Sequence, residues 1–516
     1  MKDEMEASEA QQLRSDLPVM SYHETLRSIA GVLASFFAAM LAATIVSIAL
    51  PTMMDSLGGS QTDFNWVLTS ALLANAATTP IWGKMADLFD KKKLLQAGIL
   101  VFVGGSLLAG FSTSIPMLLG ARVIQGVGMG GLTAMGMAVI GTVIAPRERG
   151  KYSGYFGSVM AVATAAGPLL GGLIVDSPLG WRWTFFLGIP ISLLSMVLIH
   201  KTLHIVHIKR PVYIDWGGAV LLTSAVSLLL IWVSYVGKPE FFAWHSWQTY
   251  SMVGGALLLT AILLWVESIV PDPIVPLRII ATRTTSLAII ASIAIGVGMF
   301  GTGAFIGQYF QIAREASPTM AGLMTLPLIA GNFAGSVFSG QMITRFGRWK
   351  IYLVLGSLFN VAGLLLLSFM QHDTEYWLLG VGMFLNGLGM GFMLQNLVLS
   401  VQNTVKVTDI GSASSAVAFF RSVGGSAGVA VLGAMLSNRV SDLVNTGVSK
   451  LGAEFMVGVD AGDSLNLSAM PAPVRLVVEA AYGEATGIVF LVSAIVAAVA
   501  VVCVALIREV PLRRTI

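Results

Sequence analysis

The chain has 516 residues, 55% of them hydrophobic and 11% charged, with a mean hydropathy of +0.81; soluble domains carry roughly 25% charged residues, so a water-soluble globule is excluded. The net charge of +3 is too small to point to nucleic acid. A single cysteine, Cys503, excludes a disulfide framework, and the six histidines are scattered without metal-ligand spacing.

Residues 1–27 are polar and mixed in charge, with no basic n-region, short apolar core or small-residue cleavage site, and read as a cytoplasmic tail. Beyond them the chain is dominated by apolar runs. A hydrocarbon core of roughly 30 Å needs about 20 apolar residues in a helix, and about fourteen runs meet that length. They centre near Ala39, Asn75, Gly104, Thr133, Ala163, Leu193, Ser227, Ala256, Gly298, Gly331, Leu358, Gly389, Gly424 and Ile495. Strands of a membrane barrel are shorter, so the expected fold is an all-α polytopic membrane protein. With the N-terminus in the cytoplasm, loops after even-numbered spans hold Lys91, Lys92, Lys93, Arg147, Arg149, Lys151, Lys209, Arg210, Arg278, Arg283, Arg345, Arg348 and Lys350. That is a positive-inside pattern, and an even number of spans returns the C-terminus, with Arg508, Arg513 and Arg514, to the same side. One long outward connection, 438–484, carries apolar residues at helical spacing (Val440, Leu443, Val444, Val448; Val474, Val477, Val478) and reads either as a helical hairpin or as a flexible tether.

The loop after span two runs from Gly83 through Asp87 to Lys91, Lys92 and Lys93. A related segment follows span ten, from Gly340 through Thr344 and Arg345 to Gly347, Arg348 and Lys350. Such a repeat at matching places in two halves is what a carrier built from two related bundles predicts. Span four carries Arg122-Val-Ile-Gln125-Gly126, span five Gly167-Pro168-Leu-Leu-Gly171-Gly172, and Trp181-Arg182-Trp183 follows. The run Gly126-Val-Gly128-Met-Gly130-Gly131 fits a dinucleotide fingerprint only by chance, having no strand before it, and reads as close helix packing.

Together these motifs resemble those of the major facilitator superfamily. Leu41-Ala42-Ala43-Thr44-Ile45-Val46, Ser317-Pro318-Thr-Met-Ala321-Gly322 and Arg421-Ser-Val-Gly424-Gly425 are similar to segments of its fourteen-helix drug:proton antiporters, the EmrB/QacA-like group. The resemblance implies two six-helix bundles, 28–203 and 281–510, the second including the hairpin. A linker, 204–280, would hold two inserted transmembrane helices, and a tail, 511–516, would follow. It implies export of hydrophobic or amphiphilic compounds, drugs among them, by alternating access with proton coupling, from the inner or plasma membrane of a bacterium. Gly83, Asp87, Lys91, Lys92, Gly340, Arg345, Gly347 and Arg348 then belong to the gate that latches the outward-facing state, and Gly167, Pro168, Gly171 and Gly172 to the helix that bends. A lipid or metabolite exporter, an uncoupled facilitator and a non-transporting receptor are the alternatives. The expected partners are a small amphiphilic substrate, a proton and membrane lipids; a monomer without cofactor, metal or enzymatic activity is expected.

The acid expected in span one falls on Ala42, and of the 27 acidic residues only Glu267 lies inside an apolar run. Glu267, Arg122, Gln125 and Arg421 are therefore the coupling candidates, since charges at membrane depth are costly and usually functional; the alternatives are an interfacial acid that reaches water for Glu267 and a structural role, bonding neighbouring carbonyls, for each arginine. Arg421 stands ten residues after Gly411, about 15 Å deep at 1.5 Å per residue. A cavity with cations and no deep acid is expected to favour neutral or anionic amphiphiles. The expected pocket lining is Asn75, Gln308, Gln311, Asn332, Asn360, Asn386, Gln395 and Asn396, with Phe36, Phe37, Phe300, Phe305 and methionines as an adaptable apolar wall.

Overall fold

A computed structural model describes residues 22–58, 61–144, 146–175, 177–203, 215–236, 241–270, 273, 277–316, 318–406, 409–451 and 471–512. The tail 1–21, the basic residues Lys209 and Arg210, the centre of the outer connection (452–470) and Arg513 with Arg514 lie outside the described residues.

Fourteen long helices follow one another: α1 (Tyr22–Leu57), α2 (Gln61–Leu88), α3 (Lys91–Gly110), α4 (Ile115–Val143), α5 (Pro146–Val175), α6 (Gly188–Thr202), α7 (Trp216–Tyr235), α8 (Trp247–Ile269), α9 (Arg283–Ile312), α10 (Leu326–Phe346), α11 (Lys350–Leu367), α12 (Tyr376–Gln402), α13 (Ile410–Leu451) and α14 (Ala472–Leu506). Among the described residues, eleven are long and apolar enough to cross a membrane. The seam between the two halves is formed by α2 against α13 and by α5 against α10.

The halves α1–α6 and α9–α14 repeat one another down to single backbone contacts. A Cβ on Gly105 of α3 would strike the backbone N of Gln125 in α4, and one on Gly363 of α11 the backbone N of Asn386 in α12. Gly128 lies in the same way against the backbone N of Phe102, and Gly389 against that of Asn360. On the other face, Gly126 and Gly130 meet the carbonyls of Ala71 and Asn75 in α2, while Gly387 and Gly391 meet those of Leu328 and Asn332 in α10. The glycine run of α4 is thus a packing surface, and Asn386-Gly-Leu-Gly-Met-Gly391 is its copy. In hydrocarbon, where water drives no association, backbone approach through small residues holds helices together. Gly128→Ala and Gly389→Ala are each expected to cost about 1–3 kcal/mol through overpacking; thermal unfolding of purified protein would show comparable losses, and a silent variant on one side would break the equivalence.

Lysines tie each half at the end bearing residues 83–93 and 340–350, called here the basic end. Lys92 Nζ donates to the carbonyl of His200 at the close of α6 (2.7 Å), and Lys350 Nζ to that of Ala505 at the close of α14 (2.9 Å). Asp90 caps α3 through Lys92 N (2.9 Å). In the second half the cap comes from the C-terminal segment, where Glu509 Oε1 accepts from Trp349 N (3.0 Å) and Lys350 N (3.2 Å). These carboxylates complement the positive end of a helix dipole.

α7 and α8 pack on each other and, through Ala219, Leu222, Val226 and Leu263, against Ala76 of α2 and Phe419 of α13. α13, at 42 residues, and α14, at 35, are about 63 and 52 Å long, well over the roughly 30 Å hydrocarbon thickness. The described part of the outer connection is therefore two continuous helices. Val440, Val444 and Val448 pack against Val474, Val478 and Ala481, and Arg439 pairs with Glu484 (2.7 Å). Arg475 bonds Glu479 (3.1 Å) and also Glu315, in the loop after α9.

Candidate functional site

The two halves meet along paired seams. In the first, Asp87 at the end of α2 reaches across to the start of α13: Oδ1 accepts from Gly411 N (2.9 Å), and Oδ2 from Ser412 N (2.8 Å) and Ser412 Oγ (2.6 Å). One carboxylate thus satisfies two of the backbone donors that a helix start leaves open, and places a negative charge at its positive pole. Close approach makes this possible: a Cβ on Gly83 would run into Ser415 Oγ, and one on Gly411 would lie 2.5 Å from the Gly83 carbonyl. In the second seam Thr344 stands where Asp87 stands in the first. Its Oγ1 accepts from Lys151 N in α5 (3.2 Å), and Gly154 and Gly157 lie against the Ser336 backbone and hydroxyl. Between the seams Gln402 Nε2 donates to the Met137 carbonyl (3.4 Å), and Gly141 abuts Ile410. In this conformation the halves are joined at the basic end.

The repeat that marks these seams is longer than the loop motif. Asn75, Thr79, Gly83 and Asp87 recur at spacing four along α2, and Asn332, Ser336, Gly340 and Thr344 along α10. Thr79 Oγ1 donates to the Asn75 carbonyl (2.6 Å) and stands 3.4 Å from Asn75 Oδ1, and Ser336 Oγ stands 3.4 Å from both Asn332 Oδ1 and the Gly391 carbonyl. Other gate candidates serve locally. Gly347 adopts φ 72° and caps α10, donating to the Ile343 carbonyl (2.7 Å). The Arg345 guanidinium stacks on Phe346, and Arg348 is exposed. Gly167 lies against Thr44 of α1, while Gly171 is buried within an unbroken α5. A residue that sequence reasoning counted only as a loop charge is Arg149, 1% exposed, whose Nε and Nη2 donate to Ile144 O (2.8 Å) and Gly141 O (2.5 Å). It holds the α4–α5 turn beneath the seam.

Arg122 and Arg421 differ sharply. Arg122 is 1% exposed and ties three helices: Nε donates to the Val67 carbonyl of α2 (3.1 Å), Nη1 to Gln125 Oε1 (2.5 Å), and Gln125 Nε2 to Ser106 Oγ of α3 (2.8 Å). Arg122→Ala would orphan a buried amide oxygen, which costs about 1–3 kcal/mol; a fall in thermal stability with Arg122→Lys intermediate is the expected measurement. Arg421 is half-buried, and its one bond runs from Nη1 to the Leu394 carbonyl (3.3 Å). Glu267 is buried at the base of α8, where a Cβ on Gly218 would meet both its Oε1, at 3.0 Å, and Asp215 Oδ2. Two carboxylates thus share the first turn of α7. Sequence reasoning missed Asp215, which lies outside the apolar runs.

The remaining candidates do not form one wall. Asn75 and Asn332 are half-buried at equivalent depth, whereas Asn360 (1% exposed) and Asn386 (0%) are sealed inside the second bundle between α11 and α12. Asn386 Nδ2 reaches Thr302 Oγ1 (3.4 Å). Asn396 turns back on its own helix, and Gln395 is buried beside Gly157 of α5. Phe36 and Phe305 are buried, Phe36 against Phe156, while Phe37 and Phe300 are half-buried. Gln308 and Gln311 are exposed near the far end of α9. In this conformation the glycine contacts that press α11 on α12, and the stacking of α1 on α5, leave Asn360, Asn386 and Phe36 no open surface.

A family model described as the Major Facilitator Superfamily matches residues 32–429. The chain belongs to the major facilitator superfamily. Within this superfamily it is 33% identical over 469 residues to an uncharacterized MFS-type transporter of Mycobacterium tuberculosis, covering 91% of this chain and 67% of that one. It is 31% identical over 416 residues to the multidrug transporter protein MdtP of Bacillus subtilis (81% and 76%), and 31% over 420 residues to the efflux pump FUS6 of Gibberella moniliformis (78% and 73%). Among solved structures, the human organic anion transporter MFSD10 superposes with a TM-score of 0.60 at 13% identity, covering 91% of this chain and 99% of that one. The proton:xylose symporter XylE gives 0.55 at 14%, covering 92% and 94%. At such identities the structural likeness concerns the fold alone.

Proposed function

We propose that this superfamily member is an efflux transporter that exports hydrophobic and amphiphilic compounds across a bacterial inner membrane by alternating access. The observation that carries it is the Asp87 latch on α13, matched by Thr344 on α5: two reversible contacts between half-molecules that repeat one another. Rocking the halves about the seams would open the basic end and close the other around a midplane site. The basic residues favour a cytoplasmic location for that end, and on this reading the conformation joined there is the outward-facing one. Relatives named as multidrug transporter and efflux pump favour export over uptake.

Proton coupling is part of this reading, with Glu267 beside Asp215 as the titrating group, since Ala42 leaves span one without an acid. The test is flux in proteoliposomes under an imposed pH gradient. Wild type is expected to accelerate several-fold with the gradient and Glu267→Gln to lose that response while keeping downhill flux. Flux indifferent to the gradient in wild type would leave an uncoupled facilitator.

A further inference from the structure

We infer that Arg421 is the recognition group of the transport site and that it takes the headgroup of an anionic amphiphile, a carboxylate or sulfonate on an apolar body. This deepens the export reading, resting on its central site but not on its direction or energy source.

Depth is fixed by the seams. Ser415 faces Gly83, and Arg421 lies six residues beyond it along α13, about 9 Å; Asn75 lies eight residues beyond Gly83 along α2, about 12 Å, and Asn332 the same distance beyond Gly340 along α10. Three polar side chains from three seam helices therefore stand within about one helical turn of a common depth, and all three are half-buried. Arg421 spends one donor on a neutral carbonyl. Its other donors make no hydrogen bond, and no carboxylate pairs with it, among the described residues. Asn75 and Asn332 each carry a side-chain amide whose Oδ1 stands 3.4 Å from a hydroxyl one turn away. Next to Leu394, the Oε1 of Gln395 is buried without a partner.

Arg122 is sealed, bonded directly to α2 and through Gln125 to α3. Arg421 is the opposite, a cation at membrane depth with its charge uncompensated and its donors free. Such a charge is costly unless paired, and a planar guanidinium accepts a carboxylate or sulfonate by two parallel bonds. A lipophilic cation would meet repulsion at the same place.

The test uses the purified full chain and three fluorescent probes of equal length: 11-(dansylamino)undecanoate, its methyl ester and the trimethylammonium analogue. Wild type is expected to bind the acid at least about tenfold more tightly than the ester, and the cation most weakly, a tenfold ratio being the scale of one charge-assisted pair. Arg421→Gln should bring the acid-to-ester ratio to about unity. If that variant does not fold, Arg421→Lys carries the test, because the charge stays and the bidentate fork is lost, and the ratio should fall at least about threefold. An unchanged ratio in either folded variant, or a wild type that prefers the cation, overturns the proposal. Absent flux with anion selectivity intact would sink the export reading and leave this one standing.

Discussion

Asp87→Ala is expected to open the basic end and to lower transport at least about tenfold. The carboxylate makes three hydrogen bonds to the start of α13, and they exist only while the halves are joined. Charge-assisted bonds are each worth roughly 1.5–3 kcal/mol and do not add fully, so a loss of about 3 kcal/mol from the joined state is a conservative figure. That is about a hundredfold in the ratio of the two conformations. The fold of each half is untouched, since Asp87 contributes nothing to the glycine packing inside them. Spin labels at Lys93→Cys and Lys406→Cys, both exposed and on opposite sides of the seam, would read the change in a Cys503→Ala background. Their distance distribution should move to longer values in Asp87→Ala and part-way in Asp87→Asn. Thr344→Val should do much less, because a single neutral bond at 3.2 Å is lost there. A distribution that does not move shows that Asp87 is not the latch.

Much of this was legible in the sequence, for reasons that can be named. Lipid forces backbone polar groups to pair within their own segment, so the apolar runs mark helices with little tertiary ambiguity. The repeat of Gly83 and Gly340 was readable because both copies must solve the same problem of backbone approach. Its continuation through Asn75, Thr79, Asn332 and Ser336 was hidden by the exchange of Thr for Ser and by the apolar residues between. The depth of Arg421 followed from counting 1.5 Å per residue. What did not follow was which polar side chains face a cavity: Asn332 and Asn360 look alike in sequence, and only helix rotation, set by whether Gly331, Gly335 or Gly363 is pressed on a neighbour, separates an open amide from a sealed one. Asp215 escaped for a related reason, since its burial beside Glu267 comes from the folding of two helices onto each other.

Gly83→Ala is expected to abolish most transport, and Ser415→Gly on the same chain to restore it. The added methyl would fall on Ser415 Oγ and stand 3.0 Å from the Gly411 carbonyl. Ser415 cannot swing aside cheaply: it is 2% exposed, and its hydroxyl donates to the Ser412 carbonyl (3.0 Å) within the turn that Asp87 caps. The clash is therefore borne by the seam, where the halves can part, and not by either bundle, where they cannot. Overpacking of this kind costs about 1–3 kcal/mol and is confined to the joined state. The single variant should thus show normal thermal stability, spin-label distances like those of Asp87→Ala, and flux down at least about fivefold. Ser415→Gly removes both atoms that the methyl would meet most closely, so the double variant should recover joined-state distances and most of the flux. The coupling between the two sites should be about 1–3 kcal/mol of opposite sign to the single effect. The same logic holds across the second seam, where Gly157→Ala should be relieved by Ser336→Gly, because the Ser336 hydroxyl occupies the place of that methyl. Two independent suppressor pairs, one in each seam, would tie the cycle to both seams. A Gly83→Ala protein that transports at the wild-type rate, or a folded double variant that does not recover, would show that the close approach of α2 and α13 is not part of the transport cycle.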